Sequence, residues 1–204
     1  MHSADQPSES PTPALAPALR PSLVGTLVGW SAVCFWLSLM GDGRWQYDRQ
    51  GLAYGEWWRV FSAHAMHLTV AHAVGNVIGA WVLVWLFAPV FTAMRLAILW
   101  WVLSLFISAG LWWFYPDVQW YVGASGVLHG VWVAGAVWLW RRDRVFASVA
   151  LLSLVIKCAV EWATGLNVGH WVLEGAPIVS AAHRLGAVVG GVVALLWPQP
   201  KSDL

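Results

Sequence analysis

Four polar residues stand in otherwise apolar stretches, and their types fit acyl transfer: Ser125, His183, His72 and Asn76. Acyl transfer needs a nucleophile, a base that removes its proton, and hydrogen-bond donors aimed at the oxyanion that forms on the attacked carbonyl. Ser125 could supply the hydroxyl and neutral His183 the base. His72 and Asn76 share one face of a helix because they are four residues apart, and both could donate to the oxyanion beside the Ser125 amide.

The surroundings of the serine limit the reaction class. Gly123 and Gly126 flank it and leave room for a peptide, whereas Val127 breaks the Gly-x-Ser-x-Gly pattern of an α/β-hydrolase. No aspartate is positioned in the sequence to orient the base, so a Ser125–His183 dyad is predicted rather than a triad. The alternative is that the serine only bonds back to a carbonyl of its own helix.

The composition is that of a membrane protein. Of the 204 residues 59% are hydrophobic and 10% are charged, whereas a soluble domain carries about 25% charged residues. A net charge of +1, without a long basic cluster, gives no reason to expect nucleic acid. Cys34 and Cys158 lie far apart in apolar segments, so neither a disulfide nor a thiol motif is indicated.

The apolar stretches predict an all-α, polytopic bundle of six helices in the lipid bilayer. The predicted spans are residues 23–40, 68–88, 93–115, 123–140, 145–162 and 179–197. The third is long and the fourth is short. Residues 1–22, rich in Pro, Ser and Ala, are predicted to be a disordered cytoplasmic tail, residues 23–197 the membrane domain, and residues 198–204 a second short cytoplasmic tail.

Basic residues predict the orientation of these spans. Cytoplasmic loops of membrane proteins carry an excess of Lys and Arg. An inside amino terminus puts the following on the cytoplasmic side: Arg20, Arg95, Arg141, Arg142, Arg144 and Lys201. Only Arg44, Arg49 and Arg59 then lie in an outer connection. Spans two, four and six therefore run inward, and their polar residues share one layer near the outer face.

Two further patterns concern packing. Glycines four residues apart occur on the same three spans and would permit close backbone approach: Gly75 and Gly79, Gly126 and Gly130, Gly186 and Gly190. The alternative is that this spacing is a general packing signal. The aromatic connection 41–66 is predicted to lie in the membrane interface, where its rings would act as anchors rather than bind substrate.

Several motifs together resemble the rhomboid family of intramembrane serine proteases, over about residues 58–197. In chain order they are Trp58-Arg59, His72-x-x-x-Asn76, Gly123-x-Ser125-Gly126 and Ala182-His183-x-x-Gly186-x-x-x-Gly190. The resemblance implies a six-helix fold with Ser125 as nucleophile and His183 as base. It implies an oxyanion site formed by His72, Asn76 and the Ser125 amide. It implies neither a metal nor a cofactor.

One departure points to a branch of that family. Many rhomboids carry a tyrosine that stacks on the base histidine, and His129 stands at that position here. The form Gly-x-Ser-Gly-Val-Leu-His-Gly resembles the rhombosortase branch of bacteria. This implies a substrate with a transmembrane helix in a carboxy-terminal sorting tail, cleaved in the bacterial inner membrane at a site open to the periplasm. His129 would support His183, although it is also a rival base.

Other assignments remain open at this stage. The chain could be an inactive rhomboid-like protein that binds client transmembrane helices. It could also be a haem or quinone protein, with axial ligands drawn from His72, His129 and His183. The oligomeric state is not predicted.

Weaker candidates receive structural interpretations. His64 and His67 precede span two and could face the active-site water or cap the helix, and the structural role is favoured. Lys157 and Glu161 are spaced to neutralise each other. His170 is predicted to be a solvated loop residue.

Overall fold

The structure, a computed structural model, describes residues 19–164 and 179–197. Six apolar helices dominate this part of the chain: α1 (Pro21–Met40), α4 (Val70–Leu86), α5 (Ala93–Phe114), α6 (Ser125–Leu139), α7 (Arg144–Thr164) and α8 (Ser180–Leu196). Between α1 and α4 lie a 3-10 turn (Gly43–Trp45), strand β1 (Tyr47–Asp48) and the short helices α2 (Arg49–Ala53) and α3 (Arg59–Ser62). Strand β2 (Trp120–Tyr121) lies between α5 and α6.

The six apolar helices confirm the predicted all-α bundle, with ends that differ from the predicted ones by a few residues. Helix α1 begins at Pro21 rather than at residue 23, because proline is well tolerated in the first helical turn. Gly41, with a φ of 63°, ends α1 in the left-handed conformation that glycine adopts without strain. The tails predicted at 1–22 and 198–204 fall almost wholly outside the described residues, as does His170.

Helix lengths divide the bundle into two sets. Helices α1, α5 and α7 have 20, 22 and 21 residues and are long and apolar enough to cross a membrane. Helices α4, α6 and α8 are apolar but shorter, and α6 has 15 residues. At 1.5 Å per residue α6 extends only about 22 Å, against about 30 Å of hydrocarbon. At least one end of α6 therefore lies inside the apolar layer.

Helix α6 is the centre of the bundle. It contacts α4, α5, α7 and α8, and its contact with α8 is the most extensive in the described part of the chain. Leu103 of α5 lies beside Gly130 of α6. It is one of four fully buried α5 residues, spaced four apart, that share the core cluster with α6: Leu99, Leu103, Ile107 and Leu111. Only a central helix has neighbours on every side, which explains why most residues of α6 are buried.

The contact between α6 and α8 is made by glycines, and we call it the glycine interface: Gly126 and Gly130 against Gly186 and Gly190. A Cβ at Gly126 would lie 2.9 Å from the Ala182 carbonyl oxygen. A Cβ at Gly186 would collide with the Gly126 carbonyl oxygen, and one at Gly190 with Gly130. Two of the three predicted glycine pairs are thus confirmed as sites of backbone contact.

The prediction for the third pair is wrong. Gly75 lies on an exposed face of α4, and among the described residues no atom of another element would lie within 4 Å of a Cβ there. A Cβ at Gly79 would meet only the Leu128 side chain, at an ordinary 3.4 Å. Helix α4 therefore packs on α6 through side chains.

The connection before α4 is folded around a buried arginine. Arg59 Nε bonds to Glu56 at 2.5 Å, and its guanidinium also donates to the carbonyls of Gly43 and Gln46. The neighbouring Trp58 donates from its indole to the Arg44 carbonyl. The side chains of Trp58 and Arg59 thus stabilise this connection by hydrogen bonds to its own backbone.

Strand β1 joins that connection to the segment before Ser125. It pairs antiparallel with β2, so that Tyr47 lies opposite Tyr121. Tyr47 is fully buried, whereas other rings of the connection are exposed: Tyr54, Trp57 and Trp58. Exposed rings are consistent with the predicted anchoring in the interface, which stays a prediction.

Candidate active site

Ser125 and His183 meet at the glycine interface. Ser125 is the first residue of α6, and His183 lies in the first turn of α8. The Ser125 Oγ is 2.8 Å from the His183 Nε2. Because the two backbones touch at Gly126 and Gly186, these short side chains can bridge the helices. A hydroxyl that donates to an imidazole nitrogen is arranged to lose its proton to that base.

Ser125 follows a turn that contains a glycine with a positive φ. Gly123 has a φ of 117°, a conformation that residues with a Cβ rarely adopt, and a Cβ there would lie 2.9 Å from the His72 ring. Its N–H donates to the Ala63 carbonyl, and its own carbonyl accepts the Tyr121 hydroxyl at 2.5 Å. Burial raises the pKa of Tyr121, so its hydroxyl keeps its proton. Both backbone polar groups of Gly123 are therefore hydrogen-bonded, which fixes the turn before Ser125.

Two buried histidines lie next to the segment before Ser125: the His64 ring lies beside Tyr121, and the His67 ring beside His72. His64 Nε2 is 3.0 Å from the Ser108 hydroxyl, and the Ala124 N–H points at His67 Nε2 over 3.5 Å. Burial lowers the pKa of both histidines to about 3, so they are neutral at ordinary pH. Both side chains are buried, which is consistent with a structural role, but neither caps α4, because the Thr69 hydroxyl does so.

His72 and Asn76 lie on α4 beside the serine turn. The His72 ring lies against Gly123, two residues before Ser125. The Asn76 side chain is buried, and its Nδ2 donates to the His72 carbonyl at 3.2 Å. A carboxamide has two N–H groups, so one remains for another acceptor. Both predicted oxyanion donors thus lie on the α4 face toward this turn.

His129 stacks on His183. The two rings are nearly parallel, at 9°, with centroids 4.2 Å apart. The His129 Nδ1 is 2.6 Å from the Ser125 carbonyl oxygen, so it faces the backbone and not the hydroxyl. Stacked rings cannot direct two nitrogens at one iron from opposite sides, which argues against a haem bound by this pair.

Glu161 is the site residue that the sequence did not reveal. Its Oε2 is 3.0 Å from the His183 Nδ1. The predicted dyad rests on the absence of a suitably placed aspartate, and here a glutamate contacts the base instead. The predicted Lys157–Glu161 ion pair is confirmed, and the Lys157 Nζ also lies 3.0 Å from the His129 Nε2. The available signal is an acidic residue near the end of span five that the predicted orientation puts at the depth of Ser125.

These groups could also bind a cation. The ligand atoms of His129, Glu161 and His183 lie within 4.8 Å of one another, as the donors of a metal site do. The Lys157 ammonium already contacts His129 and Glu161 and supplies a positive charge there. The predicted absence of a metal stays a prediction.

The bundle and the serine–histidine pair together define a polytopic membrane protein with a site like that of a serine protease. The family described as Rhomboid domain matches residues 54–199, well over half of the chain. The chain therefore belongs to the rhomboid family, whose members are generally intramembrane serine proteases. A comparison with curated proteins found no match.

Proposed function

We propose that this chain is an intramembrane serine endopeptidase with Ser125 as nucleophile and His183 as general base. The observation that carries the proposal is the 2.8 Å contact between two side chains 58 residues apart. His183 Nε2 takes the hydroxyl proton as Oγ attacks a peptide carbonyl, and then gives that proton to the leaving amine. Water hydrolyses the acyl-serine in the reverse sequence of proton transfers.

The oxyanion is stabilised by the Ser125 N–H together with His72 and Asn76. The first four N–H groups of a helix have no partner within it, and Ser125 begins α6. The positive end of the helix dipole also favours negative charge at this position. Loss of one donor in such a site typically costs about 100- to 1,000-fold in rate.

The substrate class follows from the branch resemblance at residues 123–130. We propose that the chain cleaves exported proteins at a carboxy-terminal sorting tail, which consists of a glycine-rich motif, a transmembrane helix and a basic end. His129, stacked on the base where many rhomboids carry tyrosine, supports this assignment.

The proposed location is the bacterial inner membrane, with both termini cytoplasmic and the site open to the periplasm. The distribution of Lys and Arg supports this orientation. A non-catalytic role in binding client helices is disfavoured, because the serine and the base are both present and in contact.

The test expresses the full chain with a tail-bearing reporter and follows loss of the tail. Wild type is compared with Ser125→Ala and His183→Ala, for which we expect no processing. Ser153→Ala is the matched control, because that serine only bonds back to the Ala150 carbonyl of α7. Equal processing by wild type and Ser125→Ala would refute the proposal.

A further inference from the structure

Polar contacts at the site form a ring that begins and ends at Ser125. From the hydroxyl it runs through His183 Nε2 at 2.8 Å and from His183 Nδ1 to Glu161 at 3.0 Å. Lys157 bonds to Glu161 and reaches His129 Nε2 at 3.0 Å. His129 Nδ1 closes the ring at 2.6 Å from the Ser125 carbonyl.

One assignment of protons satisfies every contact in this ring. If the serine hydroxyl donates to His183 Nε2, the proton of the neutral imidazole is on Nδ1 and must be donated to Glu161. Lysine can only donate, so His129 Nε2 accepts from it and His129 Nδ1–H donates to the carbonyl. An ionised Glu161 accepts from both sides. The assignment therefore requires a carboxylate at this position.

Glu161 and His183 are both buried, so the carboxylate interacts with the base away from water. The side chains of Glu161 and His183 are 4% and 6% exposed. A buried charge is costly unless it is paired and hydrogen-bonded, and here both conditions are met by the base and by Lys157. An ion pair that served only to neutralise Lys157 would not need the contact with His183.

We infer that Glu161 is a positioning residue for the reaction and makes the site a Ser125–His183–Glu161 triad. The inference rests on the proposed function. Glu161 holds His183 in the tautomer whose Nε2 faces the serine, and it stabilises the imidazolium that exists while His183 carries the serine proton. Glu161 itself stays ionised, and the proton passes from His183 to the leaving amine. Lys157 holds Glu161 and His129 in place.

The test measures the nucleophile without any protein substrate. A fluorophosphonate probe labels an activated serine, and its rate of reaction with the purified full chain reports on the serine and its base. We expect Glu161→Gln to slow labelling at least about 100-fold, since loss of the orienting carboxylate in a serine protease costs about 10,000-fold. On the tail-bearing reporter we expect kcat of Glu161→Gln to fall by the same factor as the labelling rate. KM changes less than about two-fold, because Glu161 contacts the base and not the substrate.

Two further variants separate positioning from simple charge neutralisation. Glu161→Asp keeps a carboxylate and recovers at least about a tenth of the wild-type labelling rate. Lys157→Met removes the cation that pairs with Glu161 but keeps the carboxylate beside His183, and we expect it to slow labelling less than Glu161→Gln does. The double variant Lys157→Met, Glu161→Gln carries no unpaired charge, and we expect it to label as slowly as Glu161→Gln alone.

Two results would overturn the inference: labelling of Glu161→Gln at the wild-type rate, or recovery of the wild-type rate in the double variant. The double variant decides the matter if Glu161→Gln alone fails to fold. A wild-type chain that is not labelled, or labelling that persists in Ser125→Ala, would instead refute the proposed function.

Discussion

Helices α4 and α8 both flank α6 and both carry two glycines four residues apart, yet only α8 uses them for packing. At the glycine interface a Cβ on Gly186 or Gly190 would strike backbone atoms of α6. On α4 the Gly75 position faces open space. The two helices differ in which of their faces meets α6. The α8 glycines continue the face of His183, whereas α4 turns His72 toward the serine turn.

This contrast implies a division of roles. The helices that carry Ser125 and His183 are in direct backbone contact, so their separation has little room to change. Helix α4, which carries His72 and Asn76, packs through side chains that can change rotamer. Changes at the glycine interface are therefore expected to affect stability and activity together, whereas changes to the donors His72 and Asn76 are expected to affect mainly activity.

The largest effect is expected from Gly186→Ala. The added Cβ would collide with the Gly126 carbonyl oxygen, and separating the helices would pull His183 from Ser125. We expect the free energy of unfolding to fall by about 3 kcal/mol or more and fluorophosphonate labelling to disappear. Gly191→Ala is the control, since its Cβ would lie 3.5 Å from Val133. If Gly186→Ala in detergent melted at the wild-type temperature, the proposed difference between the α8 and α4 glycines would be wrong.

Asn76→Ala is expected to separate activity from stability. Removing one oxyanion donor lowers kcat by about 100-fold or more, while the melting temperature stays close to that of wild type. Steady-state cleavage of the tail-bearing reporter and thermal melting are the two measurements. Full activity in this variant would remove Asn76 from the proposed oxyanion site.

A smaller effect is expected where His129 supports the base. His129→Ala removes the stacked ring but leaves the Ser125–His183 contact, and we expect about a ten-fold loss of labelling. His129→Phe keeps a ring and recovers part of that loss. If His129→Ala loses all activity while His183→Ala keeps most of it, the base is His129.

The smallest effect is expected from Gly75→Ala. Alanine favours a helix over glycine by about 1 kcal/mol, and open space surrounds this position. Melting temperature and labelling rate are expected to match or slightly exceed those of wild type. Strong destabilisation would mean that α4 also packs through its glycines, and the contrast with α8 would be lost.

The sequence was sufficient for the six helices, because long apolar stretches broken by polar residues are a direct signal. It also pointed to a contact between Ser125 and His183, which the structure shows, since polar groups at one depth of a membrane bundle must find partners. Their contact could be anticipated because the same two spans carry the glycines that bring them together.

Other features depend on information that spacing does not carry. Periodicity shows that Gly75 and Gly79 share a face, but not which neighbour that face meets. The partner of Glu161 depends on the rotation of α7 about its axis. Strands of two residues are too short to show alternation, and the positive φ of Gly123 and its closeness to the His72 ring are tertiary features without a sequence period.

The pairing of β1 with β2 links two distant parts of the chain thermodynamically. Tyr47 is bonded across the ladder to Tyr121, and the Arg49 N–H donates to Gln119, so the connection before α4 and the segment leading to Gly123 share hydrogen bonds. Local opening of one exposes the amides of the other. Because the hydroxyl of Tyr121, a residue of the ladder, donates to the Gly123 carbonyl, opening of this small ladder would also remove one support of the serine turn.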